Sequence, residues 1–110
     1  MSYQHKELAA GRWRQLSLVE QMANIGSEVE RALNWQAKNN AAYCRQAAER
    51  ALELMDLTLD SVKEFAKLKE VARVREVLVD YFFGENEYGF TETALRRYFF
   101  NFTYAARRHL

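Results

Sequence analysis

Apolar residues recur at intervals of three and four along almost the whole chain, and this spacing constrains the fold more than any other feature of the sequence. Leu18, Met22, Ile25, Val29 and Leu33, for example, fall on one face of a helix. The 110 residues contain no proline and only four glycines, so few positions interrupt a helix. The sequence therefore predicts an all-α protein.

Capping and turn residues divide this pattern into four helices, at about 18–39, 41–59, 62–83 and 92–108. The boundaries rest on Ser17 with Glu20 as a capping box, Asn39 and Asn40 as a turn, "SVKE" at 61–64 as a second capping box, Gly84 as a C-terminal glycine and Thr91 as a cap. Short turns between long helices favour antiparallel neighbours. The predicted architecture is an antiparallel up-down four-helix bundle, with residues 1–110 forming a single domain. A short N-terminal extension would carry its own helix, around residues 3–10, and end at Gly11.

The composition excludes several classes of protein. Hydrophobic residues make up 49% of the chain, too many for an intrinsically disordered protein, and no apolar run is long enough to span a bilayer. The N-terminus lacks the apolar core of a signal peptide. The single cysteine, Cys44, lies on the alanine-rich face of the second predicted helix and is expected to be an inert core thiol. We therefore expect a cytoplasmic protein without a membrane span.

One charged residue is out of place on the third predicted helix. Arg75 falls in the middle of the apolar face, between Leu68 and Phe82. A buried guanidinium needs a partner, because an unpaired buried charge is strongly destabilising. Glu28, at the edge of the first helix's apolar face, is the first candidate, and Asp56 on the second helix is the alternative. The sequence thus predicts a structural ion pair between Arg75 and Glu28; a functional arginine is the other interpretation.

The stretch ALRRYFFNFTYAARRHL at 94–110 alternates arginine with aromatic residues and contains no acid, although the whole chain has a net charge of only +1. On a helical wheel, Leu95, Phe99, Phe102 and Ala106 point inward. The opposite face carries the candidate binding residues: Arg96, Arg97, Phe100, Tyr104, Arg107 and Arg108. Aromatic residues and arginine are enriched at protein interfaces. They also suit RNA, with arginine for phosphates and rings for stacking on bases. A plain solvated face is the third interpretation. A further group of cations would extend the basic surface: Lys63, Lys67, Lys69 and Arg73.

Arrangements typical of enzymes find little support. His5 and His109 lie far apart in the chain, neither has metal-ligand spacing to Cys44, and there is no glycine-rich phosphate loop. One acidic row on the second helix, with two acids on the third, matches the way all-helical nucleotide pyrophosphohydrolases hold Mg²⁺: Glu49, Glu53, Asp56 and Asp60, with Glu76 and Asp80. The row lies away from the apolar face, whereas metal sites in bundles lie inside. We therefore predict no catalytic residue, no metal and no cofactor.

Three stretches carry a resemblance to known proteins: LSLVEQMANIGSEVERALNW, RALELMDLTL and LKEVARVREVLVDYFFGENEYG. The chain resembles small prokaryotic four-helix-bundle proteins, namely those encoded in ribosomal RNA intervening sequences and the accessory variability proteins of diversity-generating retroelements. The resemblance covers nearly the whole chain. It implies a ring-shaped pentamer with a basic surface that acts beside a reverse transcriptase and its RNA, and it transfers no individual residue.

These observations favour one function and leave two alternatives. The favoured function is a non-enzymatic helical-bundle oligomer that binds nucleic acid, RNA in preference, as an accessory to a machine such as a reverse transcriptase. A second copy would cover the surplus apolar surface of Val74, Val77, Tyr81 and Trp35. The first alternative is a protein-protein interaction scaffold without nucleic-acid binding. The second, with less support, is a Mg²⁺-dependent nucleotide pyrophosphohydrolase that uses the acidic row.

Overall fold

The computed structural model describes residues 11–108, and every regular element in that range is helical. A short helical segment at residues 11–14 precedes four long helices. These are α1 (Leu18–Ala37), α2 (Ala41–Ser61), α3 (Phe65–Phe83) and α4 (Glu92–Arg108). The all-α class is confirmed. The predicted N-terminal helix around 3–10 lies outside the described residues, but its predicted end at Gly11 is wrong, because Gly11 itself is helical.

Side-chain caps fix three helix starts as the sequence predicts. At α1 the Ser17 hydroxyl accepts from the Glu20 N–H at 3.1 Å, and the Glu20 carboxylate accepts from the Ser17 N–H at 2.8 Å. The hydrogen bonds from Ser17 lower the pKa of Glu20. At α2 the Asn40 side chain accepts from the Tyr43 N–H at 3.0 Å, and at α4 the Thr91 hydroxyl accepts from the Ala94 N–H at 3.0 Å.

The second predicted capping box does not form. Helix α2 continues through Ser61, whose hydroxyl donates to the Thr58 carbonyl at 3.1 Å instead of capping the next helix. Helix α3 begins only at Phe65, after Glu64, which makes no side-chain cap bond. A serine hydroxyl that bonds one turn back within its own helix is a known competitor of N-capping. The predicted start at residue 62 is therefore wrong by three positions.

Residues that contact each other between neighbouring helices occur in opposite order along the two helices. The contacting pairs are Gln21–Ser61 and Glu28–Arg50 for α1 with α2, Arg45–Phe83 and Asp56–Arg75 for α2 with α3, and Gly26–Phe99 and Asn34–Arg96 for α1 with α4. In each pair, later residues of one helix meet earlier residues of the other. Each of these three helix pairs is therefore antiparallel.

All four helices contribute to one core, including Val71, Val77 and Leu78 of α3. Met22, Ile25, Leu33, Met55 and Leu95 are almost fully buried there. Small residues let the helices approach closely: Ala32 on α1 packs with Ala47 and Ala48 on α2. The alanine-rich face of α2 therefore lies against α1. Burying side chains of this kind supplies most of the driving force for folding.

A tryptophan in the segment before α1 ties that segment to the core, which the sequence did not reveal. The buried Trp13 indole N–H donates to the Thr58 hydroxyl at 2.9 Å. The amide of buried Gln21 donates to the Trp13 carbonyl at 2.9 Å. Buried polar groups are costly unless hydrogen-bonded, and these bonds satisfy the indole and the amide together.

Helix α3 packs on α2, and α4 packs on α1, but α3 and α4 face each other across a groove of about 790 Å³. The Tyr98 hydroxyl of α4 crosses this groove and donates to the Glu70 carboxylate at 2.8 Å. The loop that joins the two helices is held by Asp80, whose carboxylate accepts from the N–H groups of Glu87 and Tyr88 at 2.8 and 3.0 Å. This loop sets where α4 begins relative to α3.

The predicted ion pair between Arg75 and Glu28 is wrong. Arg75 donates to Asp56 at 2.7 Å, so the alternative partner is the correct one. Glu28 instead accepts from Arg31 at 2.8 Å and forms an ion pair with Arg50 at 3.2 Å. The reason is geometric, because α3 packs along α2, whereas its contact with α1 lies near its C-terminal end, where the Tyr81 hydroxyl donates to Gln36 at 3.4 Å. Arg75 is also half-buried, not buried, since its side chain keeps 36% of its surface exposed.

Candidate nucleic-acid interface

Helix α4 has one buried face and one exposed face, and the predicted aromatic residues lie on the exposed one. Leu95 and Phe99 are buried against α1, whereas Phe100 and Tyr104 keep 61% and 56% of their surface exposed. Because the helix is seated on α1 along one side, the 3.6-residue period turns positions 100 and 104 away from the core. More than half of the surface of each side chain is therefore in contact with solvent.

The two exposed rings form a pair. Phe100 and Tyr104 lie one turn apart, with ring centroids 6.3 Å apart and planes inclined by 28°. The Arg108 guanidinium lies 5.8 Å from the Tyr104 ring centroid, within the range of a cation–π contact. The C-terminal half of α4 therefore presents a cationic group beside an aromatic platform.

The four arginines of α4 divide into two kinds. Within residues 11–108, no carboxylate forms an ion pair with Arg97, Arg107 or Arg108. Arg96, in contrast, donates to Glu92 at 3.0 Å, to Glu30 at 3.2 Å and to Asn34 at 2.9 Å. The guanidinium of Arg96 thus joins α4 to α1, and we remove it from the predicted set of phosphate-binding residues.

A groove of about 610 Å³ runs between α1 and α4 beside the aromatic pair. Its lining includes predicted site residues and hydroxyl groups that the sequence did not single out: Arg97, Phe100, Arg107, Ser27, Thr93 and Thr103. Tyr104 and Arg108 do not line it. Only Gly26 hints at this place in the sequence, because a glycine inside a helix often marks a close approach of another backbone. We call this the α1/α4 groove.

The other predicted cations do not join this surface. Lys69 and Arg73 line the separate groove between α3 and α4. Lys63 and Lys67 lie beside Arg14 and Leu18 at the end of the molecule where α1 begins, and Lys67 pairs with Glu64 at 3.5 Å. The α1/α4 groove therefore does not connect the basic surface of α4 with these four cations.

Four of the six acids in the predicted metal site are engaged in ion pairs or loop contacts, whereas the buried Oε1 of Glu53 has no hydrogen-bond partner in the described residues. Glu49 accepts from Arg45 at 3.4 Å, and Asp56 accepts from Arg75. On α3, Glu76 accepts from the Tyr88 hydroxyl at 3.0 Å, which raises the pKa of Tyr88, and Asp80 holds the loop. Across the described part of the chain, no group of three acidic, histidine or cysteine residues is arranged to hold a metal ion.

Two further predictions concern residues near the turn between α1 and α2. Cys44 is only half-buried and lines a shallow groove with Phe82, and burial raises the pKa of its thiol. Side chains of the same chain cover Trp35. Its ring packs edge-on against Tyr43, with the ring centroids 4.8 Å apart, and the Lys38 ammonium lies 5.1 Å from its centroid. On α3, Val77 is buried. These residues therefore do not require a second copy.

The chain matches no protein-family model, and searches of curated proteins and of solved structures returned no significant match. Among residues 11–108, no helix is long and apolar enough to cross a membrane. Because the comparisons identify no similar protein, the functional proposal rests on the geometry of α4.

Proposed function

We propose that this protein is a non-enzymatic accessory protein that binds nucleic acid, RNA in preference, through the exposed face of α4. The interface residues are Arg97, Phe100, Tyr104, Arg107 and Arg108. The observation that carries the proposal is that the two rings remain exposed while three neighbouring arginines have no carboxylate partner in the described range. Arginine suits phosphate oxygens, and exposed rings suit bases.

Charge separation along α4 supports a polyanionic ligand. The first turn contains Glu92, which is already bonded to Arg96, whereas the last turn contains Arg107 and Arg108. Between Thr93 and Arg108 the sequence has no acidic side chain. A polyanion would therefore meet its strongest attraction at the C-terminal half of the helix.

The proposal includes an up-down four-helix bundle as the scaffold, supported by the antiparallel order of three helix pairs. It also includes assembly into an oligomer and a protein partner such as a reverse transcriptase, for which the resemblance is the support. A cytoplasmic location is part of the proposal too, and its support is the single cysteine. The competing proposal is a protein-interaction scaffold, because exposed aromatic residues and arginines are also what protein interfaces contain.

Reversing two charges on α4 tests the proposal. Wild-type protein is expected to bind RNA with an affinity that falls as salt rises, because each phosphate contact releases counterions. Three arginine contacts to a single strand predict a log–log slope on the order of −2. The double variant Arg97→Glu/Arg108→Glu should lose most of this binding, measured by fluorescence anisotropy over a salt series.

A charge-matched variant controls for the change in net charge. Arg31 and Arg45 are exposed and form ion pairs within α1 and within α2, and among the described residues neither forms an ion pair or a side-chain hydrogen bond with α4. Arg31→Glu/Arg45→Glu should bind RNA nearly as the wild type does. Equal loss in both double variants would leave the α4 face without a special role, and no binding by the wild type at low salt would favour the protein scaffold.

A further inference from the structure

We propose that the nucleic acid bound by α4 is single-stranded, with unpaired bases stacked on Phe100 and Tyr104; this inference rests on the function proposed above. The two rings are the feature that decides between a single strand and a duplex. Both are more than half exposed and lie nearly parallel to each other on consecutive turns. They form an exposed aromatic pair, and the Arg108 guanidinium lies beside the Tyr104 ring.

A duplex offers no base face that could stack on such a surface. The faces of its bases are covered by the neighbouring base pairs, and only base edges and the sugar–phosphate backbone remain accessible. A phenyl ring has no hydrogen-bond donor or acceptor with which to read an edge. Unpaired bases, by contrast, expose a face that stacks on any aromatic side chain. The chemistry of this surface therefore fits a single strand.

The length of the face limits the number of nucleotides. Eleven helical steps separate Arg97 from Arg108, with the two rings between them. At about 1.5 Å per residue this is about 16 Å, which corresponds to about five nucleotides at a stacked spacing of about 3.4 Å. Phosphates at the two ends of such a segment would meet arginine, and the bases between them would meet the rings.

The α1/α4 groove gives one base a second place to lie. Phe100 belongs both to the exposed pair and to the groove wall, which Ser27, Thr93 and Thr103 also line. The hydroxyls of Ser27 and Thr103 donate to carbonyls of their own helices and can still accept a hydrogen bond from a base. Its volume of about 610 Å³ lies within the range of small-molecule sites. One carboxylate, Glu30, also lines it and is bonded to Arg96 near the beginning of α4. A base would therefore enter from the opposite end, beside Arg107.

The test compares a labelled single-stranded RNA of mixed sequence with a duplex of the same length, by fluorescence anisotropy. Wild-type protein should bind the single strand at least about tenfold more tightly than the duplex. Stacking of one base on a ring corresponds to an effect on the order of tenfold in affinity. Phe100→Ala/Tyr104→Ala should therefore weaken single-strand binding at least about tenfold and change duplex binding less than about twofold.

Two further variants sharpen the result. Tyr43→Ala/Phe65→Ala removes two exposed rings elsewhere, 49% and 78% exposed in the structure, and should leave single-strand binding unchanged. Ser27→Trp fills the groove while every arginine is retained, and it should reduce single-strand binding. Unchanged binding by Ser27→Trp would overturn the groove as a base site.

The outcomes separate this inference from the function on which it rests. If the single strand and the duplex bind equally well, or if the loss of both rings leaves single-strand binding intact, the inference is wrong while the proposed function stands. If the wild type binds neither form at low salt, the proposed function itself is wrong. A stretch of single-stranded DNA, titrated in parallel, shows whether the ribose hydroxyl contributes.

Discussion

At the scale of single residues, the arginines show that the same side chain takes different roles according to what its neighbours offer. Arg96 is enclosed by two carboxylates and an amide and acts as a connector between helices. Arg75 has one carboxylate partner and remains partly in water. Arg97 has no carboxylate partner in the described range, which leaves its guanidinium for a ligand.

The Arg75–Asp56 pair is expected to contribute little to stability. Both side chains are more than a third exposed, at 36% and 56%, and exposed ion pairs are worth at most about 1 kcal/mol. A double-mutant cycle of Arg75→Ala and Asp56→Ala, measured by urea unfolding, should give a coupling free energy below about 1 kcal/mol.

The matching cycle with Glu28→Ala should show no coupling, because Glu28 pairs with Arg31 and Arg50 instead. Non-additivity between Arg75→Ala and Glu28→Ala would mean that the guanidinium reaches α1 in solution. A large coupling between Arg75 and Asp56 would mean that the pair is less hydrated than its exposure indicates.

The partner of Arg75 could not be chosen from the sequence for a definite reason. A helical wheel gives the angle of a side chain around its own helix, and by that measure Glu28 and Asp56 lie equally at the edge of an apolar face. It does not say which of two helices lies beside α3. The same wheel did predict correctly that Phe100 and Tyr104 point away from the core, because that depends on α4 alone.

At the scale of elements, the crossing of α1 and α4 depends on one glycine. A Cβ built at Gly26 would lie 2.8 Å from the Cβ of Phe99, closer than real Cβ contacts occur. The neighbouring atom belongs to the start of a buried side chain, so it cannot rotate away. The two helices are therefore as close at this point as a glycine permits, and the α1/α4 groove opens beside it.

Gly26→Ala should destabilise the protein although alanine is the better helix former. Replacing glycine within a helix gains about 0.5–1 kcal/mol, while forcing a methyl group into a packed contact costs about 1–3 kcal/mol. The difference between the middles of these ranges is an expected net loss of about 1 kcal/mol in the free energy of unfolding. Urea denaturation of the variant measures it.

Ser27→Ala is the matched control, because Ser27 is the next residue along α1 and is exposed. Its free energy of unfolding should change by less than about 0.5 kcal/mol. A stabilised Gly26→Ala variant would show that α4 moves aside without loss, and the close crossing would then not be a feature of the protein in solution.

The helices themselves were largely predictable, since each is defined by a local period and a local cap. The prediction at Ser61 was wrong because a serine hydroxyl can bond forward to a new helix or back to its own, and the sequence does not decide between them. The grooves were not predictable, since each depends on how far apart two helices lie. For that reason the sequence found the exposed rings and missed Ser27 and Thr103.

At the scale of the whole molecule, α3 and α4 are held together by fewer interactions than the other neighbouring helices. Between α3 and α4, the Tyr98–Glu70 hydrogen bond is the one side-chain bond found within residues 11–108. Burial first, and then the bond to Glu70, raise the pKa of Tyr98 well above its usual range. The protonated phenol is thus part of what holds the two helices in place.

This raised pKa predicts a loss of stability at alkaline pH. The folded protein holds the Tyr98 proton more tightly than the unfolded chain, whose tyrosines have a pKa of about 10. The contribution is therefore complete below about pH 10 and is lost as the pH rises further. Urea unfolding of the wild type at about pH 8 and about pH 10.5 should show the decrease.

Tyr98→Phe should be less stable than the wild type at about pH 8, and the difference should shrink at about pH 10.5, because phenylalanine has no proton to lose. Tyr81 and Tyr88 also have raised pKa values and remain in both proteins, so the comparison isolates position 98. A difference that stays constant with pH would mean that Tyr98 titrates as an ordinary exposed tyrosine.

The one-sided seating of α4 has a consequence for any ligand on its outer face. Because α4 rests on α1 alone among its backbone neighbours, it can undock as a unit while α1, α2 and α3 keep their mutual contacts. A base seated in the α1/α4 groove would contact both helices at once, and its binding would therefore oppose that undocking.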